Sequence, residues 1–411
     1  MKNIVIIGGS YVGLATAQEL IKRLPLESSD HRIIVVEKNS HFSHLFAYPR
    51  FAVVPNHEHK AFLPFPTMLP SPHLILSSTT ALSISSPQRI VTLLNSSNGE
   101  EFELDYEVLV LATGTRLSPP GTIPGKGTKR EGVEYLKGLQ GELERGEKIV
   151  VLGGGAIGVQ MVCDLAELYE PRRKAPGSKS ITLVHSHNQV MNRFHPRLSE
   201  IIKERFKELG VEMVLGSRAR IPGGGNCEEG KRVWIETEDG RRVEADCIVQ
   251  STGQTPNSQL VESFAPSCVA QNGFISVDEH LRIVSGVPEE RQLAGGRIFA
   301  IGDIADTGAQ KAARPALMHS QVLARNILAS LSGKDPSTFE SIVIAPSAIH
   351  LTLGFKKSII FRNPPRDVET GEWRGEPTIV WKDDGTEDMG IEGVWDRRLG
   401  MRKRETGEYH L

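Results

Sequence analysis

Two observations predict an α/β protein built from tandem nucleotide-binding units. The glycine loops Gly8-Gly9-Ser10-Tyr11-Val12-Gly13 and Gly153-Gly154-Gly155-Ala156-Ile157-Gly158 each follow a short apolar strand and open an amphipathic helix. About a hundred residues on, a matching signature closes each unit, Thr113-Gly114 in the first and Thr252-Gly253 in the second. A plan repeated along one chain is more specific than either glycine pattern alone.

In the first unit, residues 3–7 form a fully buried strand. Leu14, Ala17, Leu20, Ile21 and Leu24 mark a helix, which Pro25 and Ser28-Ser29-Asp30 end. Residues 32–37 return as a second buried strand, and a strand-like run covers 74–81. Residues 89–94 and 101–104 flank Asn98-Gly99, a hairpin signal, and 108–112 is the next strand. The second unit repeats this order. Residues 148–152 form a strand, Val159, Val162, Ala166 and Leu168 lie on a helix stopped by Pro171, and 180–184 form the return. Residues 232–237 and 241–244 then flank Asp239-Gly240, and 247–249 form the closing strand. A strand at 297–301 runs into Gly302-Asp303, and a helical pattern covers 312–331. Strand-like stretches at 348–353 and 378–381 leave a small α+β C-terminal segment. The expected domains are 1–118 with 254–331, then 119–253, then the segment 332–411.

Composition removes other classes. The 411 residues are 39% hydrophobic and 24% charged, as in globular proteins. Lys plus Arg is 48 against 50 for Asp plus Glu, a net charge of −2, which offers no case for a nucleic acid partner. Cys163, Cys227, Cys247 and Cys268 show no metal-ligand spacing, so no metal site is expected and a reducing, cytoplasmic setting is. Ala15-Thr16-Ala17 mimics a leader cleavage site, but Gly8, Gly9 and Gly13 interrupt the apolar run before it. Residues 149–163 come nearest to a membrane span and are broken by Gly153 to Gly155, Gly158 and Gln160.

A glycine loop between strand and helix turns free helical N–H groups and the positive end of the helix dipole toward one point, where a pyrophosphate fits. Glu37 lies 24 residues after Gly13, close to the spacing of about 20 at which a carboxylate accepts from ribose hydroxyls. Ser10 replaces the middle glycine with a small hydroxyl that still admits phosphate. In the second loop all three glycines, Gly153, Gly155 and Gly158, are present, and the returning strand ends in His185, with His187 nearby. A histidine there removes the repulsion a carboxylate would exert on a 2′-phosphate, so NADPH is acceptable beside NADH; the alternative is a solvated strand-end residue. Two dinucleotides on one chain imply a flavin and a nicotinamide. Asp303 is placed to accept from a ribityl hydroxyl, with helix capping as the alternative. The helix after Lys311 aims its N-terminus at the flavin.

Together these motifs resemble the FAD-dependent pyridine nucleotide–disulfide oxidoreductase superfamily, which has two Rossmann-like domains. Leu183-Val184-His185-Ser186, residues 42–50 and Lys311-Ala312-Ala313 resemble its apoptosis-inducing-factor-like and ferroptosis-suppressor-like branch. The resemblance implies FAD contacts at Gly8, Gly9, Ser10, Tyr11, Val12, Gly13, Glu37, Arg50, Thr113, Gly114 and Asp303, and a backbone contact to adenine near Ala81. It places Lys311 near the flavin, with a surface lysine as the alternative. Arg50 would be a cation beside the pyrophosphate or flavin, or else a surface residue. Gly153, Gly155, Gly158, Gln160, His185 and Gly253 would meet NADH or NADPH.

Three departures bear on mechanism. No cysteine precedes Cys163, and His41-Phe42-Ser43-His44 stands where disulfide reductases carry their pair, so reduced flavin must reach its acceptor directly. Gln160 stands where the family often has Glu, so it holds a carboxamide without charge. Lys2 follows Met1, where myristoylation needs glycine, so peripheral contact with an intracellular membrane falls to Arg397, Arg398, Arg402, Lys403 and Arg404, otherwise a solvated run. The implied function is an FAD-dependent NAD(P)H oxidoreductase with a small-molecule acceptor, a quinone by resemblance. The rival expectations are a reductase of a carrier protein or specialised metabolite, and a slow NADH-sensing flavoprotein.

Overall fold

The computed structural model describes residues 1–24, 30–170, 179–220, 232–287, 296–367, 369–400 and 404–410. The expected helix stops Pro25, Ser28, Ser29 and Pro171 lie outside them, as do Cys227, Arg402 and Lys403.

Strand β1 (Lys2–Ile7) buries Ile4, Val5 and Ile6 completely, as a central parallel strand requires. Helix α1 (Tyr11–Ile21) follows the glycine loop and returns to β2 (His31–Val36), parallel to β1. On the other side β1 pairs with β3 (Val108–Leu111), and the parallel sheet is completed by Ile298–Ala300 beyond β3 and Leu74–Leu76 beyond β2. The run expected at 74–81 is thus two strands. Ser78, at φ 51°, turns the chain into Thr79–Ser85, which joins Ile90–Asn95 and Glu100–Asp105 in an antiparallel sheet around Gly99.

Helix α2 (Lys129–Arg145) leads into β4 (Lys148–Leu152), helix α3 (Ala156–Leu168) and β5 (Ser180–His185), the second parallel sheet. Glu212–Leu215 and Cys247–Gln250 flank it, and the expected hairpin at Asp239-Gly240 pairs Val233–Thr237 with Arg242–Ala245. The chain passes between the halves on two antiparallel strands, Thr115–Leu117 and Gln254–Pro256. Helix α4 (Ala313–Leu331) then packs on α1, where Thr16 Oγ1 donates to Ser320 Oγ at 3.2 Å.

Among the described residues, the C-terminal segment is α+β as expected and holds one strand that the sequence did not mark. Ala348–Thr352, Ser358–Arg362 and Thr378–Lys382 form an antiparallel sheet, followed by helix α5 (Ile391–Leu399). Leu351, Phe361, Ile391 and Trp395 enter one apolar cluster with Phe51 and Phe62 of the first half and Val162 and Phe194 of the second. The segment therefore lies across both halves.

Candidate functional site

Each glycine loop is held by backbone approaches that exclude a side chain. Gly8 has φ +112°, and a Cβ there would stand 2.3 Å from the Ala112 carbonyl oxygen. One at Gly13 would stand 1.8 Å from the Gly8 carbonyl oxygen. The second loop repeats this arrangement. Gly153 has φ +115° and closes on the Ser251 carbonyl, while a Cβ at Gly158 would stand 1.9 Å from the Gly153 carbonyl oxygen. The loops are cradles of bare backbone. The first-turn amides of α1 (Tyr11, Val12 and Gly13) and of α3 have no intrahelical acceptor. Ser10 is the N-cap of α1 but its hydroxyl makes no capping bond, and Gly155, the N-cap of α3, has open space where a Cβ would go. These features suit a pyrophosphate at each loop.

Glu37 closes the first cradle. It is 6% exposed, Gly9 N–H donates to its Oε2 at 2.6 Å, and Asn39 donates to Oε1 from its backbone at 2.8 Å and its side chain at 2.7 Å. Burial raises its pKa against these bonds. His185 does the same work in the second cradle, where Gly154 N–H donates to its Nδ1 at 3.0 Å. Burial, then His187, lowers the His185 pKa, which keeps the ring neutral and Nδ1 an acceptor. The imidazole is thus built into its loop, not simply solvated. Beyond it opens a cavity of about 460 Å³ lined by Ser186, His187, Gly216, Ser217, Arg218, Glu238 and Asp239.

The other residues expected around the flavin gather on the first cradle's edge. Gly302 packs on Val12, the side-chain atoms of which would lie 3.4 Å from a Cβ at that glycine. Asp303 follows it, 3.5 Å from the Gln254 amide, its pKa raised by burial while Lys311 opposes the shift. Lys311 donates to the Ala305 carbonyl and lies 4.2 Å from the Phe274 ring centroid; burial lowers its pKa. Thr113 exchanges bonds with Asn257: its hydroxyl donates to the Asn257 carbonyl at 2.9 Å and its carbonyl accepts from the Asn257 amide at 2.8 Å. Gly114 and Gly253 both have positive φ, 61° and 82°. Ala81 is half-buried on the strand that starts beside Glu37, where Thr79 N–H meets the Glu37 carbonyl at 2.9 Å. Gln160 is buried on α3, its amide 3.6 Å from Met389 Sδ.

Arg50 is a correction. It is fully buried, and Nε donates to Asp164 Oδ2 on α3 at 2.7 Å. Nη2 donates to the Gly354 carbonyl at 2.8 Å and Nη1 to that of Thr386 at 3.1 Å. With these donors engaged, the guanidinium is not a free cation for a pyrophosphate. The C-terminal basic run is corrected in part: Arg398 lies over Phe42 at 3.9 Å and Tyr11 at 5.6 Å, and Arg404 pairs with Glu392 and Asp396. Asp164 was missed, although a carboxylate inside the apolar stretch of α3 was a visible signal. The bond between Tyr11 OH and His44 Nδ1 at 2.9 Å was missed as well, because it joins positions distant in sequence that no spacing rule links. Cys163, Cys247 and Cys268 are buried. Among the described residues, no helix is long and apolar enough to cross a membrane, and no His, Cys, Asp and Glu cluster suits a metal.

Residues 2–322 match the family described as pyridine nucleotide-disulphide oxidoreductase. The chain is 33% identical to Fe-regulated protein 8 of Mycosarcoma maydis, covering 97% of this chain and 95% of that one. It is 29% identical to ferroptosis suppressor protein 1 of Taeniopygia guttata, over 82% of this chain and 83% of the relative. A sulfide:quinone oxidoreductase from the hyperthermophilic bacterium Aquifex aeolicus superposes with a TM-score of 0.72 at 17% identity, covering 97% of this chain and 92% of the other; at that identity the likeness shows the fold alone.

Proposed function

The chain belongs to the pyridine nucleotide-disulphide oxidoreductase family, and from that premise we propose that it carries electrons from NADH or NADPH through FAD to a quinone. The family supports the cofactors and the oxidoreductase chemistry; the acceptor is the finer reading. Bound FAD supplies the two-electron carrier between reduced nicotinamide and acceptor. The first cradle's amides hold the FAD pyrophosphate, Glu37 accepts from its adenosine ribose, and Asp303 takes a ribityl hydroxyl. Thr113-Gly114 and the backbone near Ala81 line the same groove. The second cradle holds the nicotinamide nucleotide, with His185 at the ribose and Gln160 at the carboxamide. No side chain need act as acid or base, because the protein's contribution is to hold two rings in register.

The observation that carries the quinone reading is the absence of any cysteine before Cys163, so that His41-Phe42-Ser43-His44 stands where a redox pair would lie beside the flavin. A disulfide relay beside the flavin has no residues to run on, so a small acceptor that meets the flavin directly fits best. Anaerobic stopped-flow mixing tests this: the purified yellow protein should bleach with NADH or NADPH and recolour when a quinone is added. Rapid bleaching with recolouring only by a carrier protein would replace the quinone. A colourless protein that FAD cannot reconstitute would remove the whole reading.

A further inference from the structure

Hydride transfer requires two rings, held by two different halves of the chain, to meet within about 3.5 Å. The strands connecting those halves are thin, since Thr115–Leu117 and Gln254–Pro256 pair over only three residues each. Something else must set the angle between the cradles. Arg50 comes from the first half, shortly after the strand Phe42–Ser43. Its partner Asp164 lies on α3, the helix whose N-terminus is the second cradle. Both side chains are at most 1% exposed, and Asp164 Oδ1 is buried without a partner among the described residues. An ion pair this dry is costly to break from one side, because the remaining charge has no water to receive it.

The joint is threefold. Arg50 also donates to the carbonyls of Gly354 and Thr386, and its guanidinium carbon lies 5.0 Å from the Phe355 ring centroid. The same Gly354 turn is gripped by α3 through Glu167, whose Oε2 accepts from Phe355 N–H at 2.6 Å. Gly354 has φ +118°, and a Cβ there would stand 2.1 Å from Glu167 Oε1. One face of α3 therefore carries Gln160, Asp164 and Glu167 in i, i+4, i+7 order, all touching Arg50 or the C-terminal segment. A helix is stiff over that length, so fixing Asp164 fixes the loop at its start.

We propose that Arg50 is a positioning residue for hydride transfer: its ion pair with Asp164 and its hold on the Gly354 turn set helix α3, and with it the nicotinamide cradle, against the flavin half. This rests on the functional reading above and adds to it what aligns the two halves. A displacement near 1 Å lowers such a rate on the order of a hundredfold, while nucleotide binding, which each cradle performs alone, is spared.

The test uses the FAD-loaded full chain with Arg50→Gln, Arg50→Lys and the apolar pair Arg50→Met with Asp164→Leu. It measures bound FAD, affinity for ADP-ribose as a probe without the nicotinamide, and the flavin reduction rate at saturating NADH. It also follows hydrogen exchange in α3 and residues 353–355. The expected result for Arg50→Gln is reduction slowed by about tenfold or more, ADP-ribose affinity within about threefold of wild type, and faster exchange in both segments. Arg50→Lys should recover part of the rate. The apolar pair, which guards against a variant that fails to fold, should regain melting temperature but not rate. Unchanged reduction in loaded Arg50→Gln, or full recovery in the apolar pair, overturns the proposal. If wild type itself resists both nicotinamides, the functional reading fails instead, and exchange alone decides: unaltered exchange in Arg50→Gln overturns the joint.

Discussion

Glu37 and His185 hold the same post in the two cradles, each accepting from the second glycine's amide, but they offer opposite chemistry outward. A carboxylate welcomes hydroxyl donors and repels phosphate, whereas a neutral imidazole repels neither. His185→Glu should therefore raise the KM for NADPH by about tenfold and leave that for NADH within about twofold, measured by initial rates with each nicotinamide. Equal effects on both would remove His185 from the specificity argument. The glycines are stricter. Gly13→Ala places a methyl group where the Gly8 carbonyl already stands, so the purified variant should lose most of its bound flavin, read from visible absorbance per chain. His44 carries a pH prediction. Burial, then the cations Arg398 and Arg397, lowers its pKa from the usual value near 6.5 to about 4. A group depressed in the fold lends stability above 6.5 that is lost as pH falls through about 4. Melting temperature should fall across that window, and less steeply in His44→Gln; an identical slope would mean the loss comes from other groups.

Among the elements, those with a local rule were visible in the chain. Both hairpins lie where Asn98-Gly99 and Asp239-Gly240 put them, because those pairs tolerate the positive φ that Gly99 (74°) and Gly240 (85°) adopt. Helices α1, α3 and α4 follow their apolar periodicity to within a few residues. Helix α2 was not anticipated from the sequence, although it starts on a capping box in which Thr128 and Glu131 each bond the other's backbone N–H. Thr128→Ala should lower unfolding free energy by about 1 kcal/mol in a denaturant titration, with flavin content unchanged. The C-terminal elements were harder to see. Strand Ser358–Arg362 follows no turn dipeptide of that strength, and Trp395 of α5 is buried in an apolar cluster shared with Phe51 and Phe62, its indole N–H donating to the Lys60 carbonyl at 2.9 Å. Strand 74–81 was misread as one piece because nothing in Ser77-Ser78 announces a residue at positive φ.

Over the whole molecule, the C-terminal segment does more than extend the chain. It brings Phe355 and Met389 against helix α3 of the second half, while the Gly354 and Thr386 carbonyls accept from Arg50 and Trp395 docks on the first half. Removing residues 345–411 should therefore expose the Arg50–Asp164 pair to water. The truncated chain is expected to aggregate or melt well below the full chain in a thermal scan; an equal melting temperature would show the two halves to be self-sufficient. What the sequence determined by itself was the pair of cradles, because glycine spacing, strand burial and helix periodicity are local constraints that neighbouring residues satisfy together. Only the tertiary structure decided what Arg50 does, since a guanidinium takes whichever acceptors the fold delivers. Here they come from Asp164, Gly354 and Thr386, more than a hundred residues away, and no spacing rule links positions that meet only after three parts of the chain have packed.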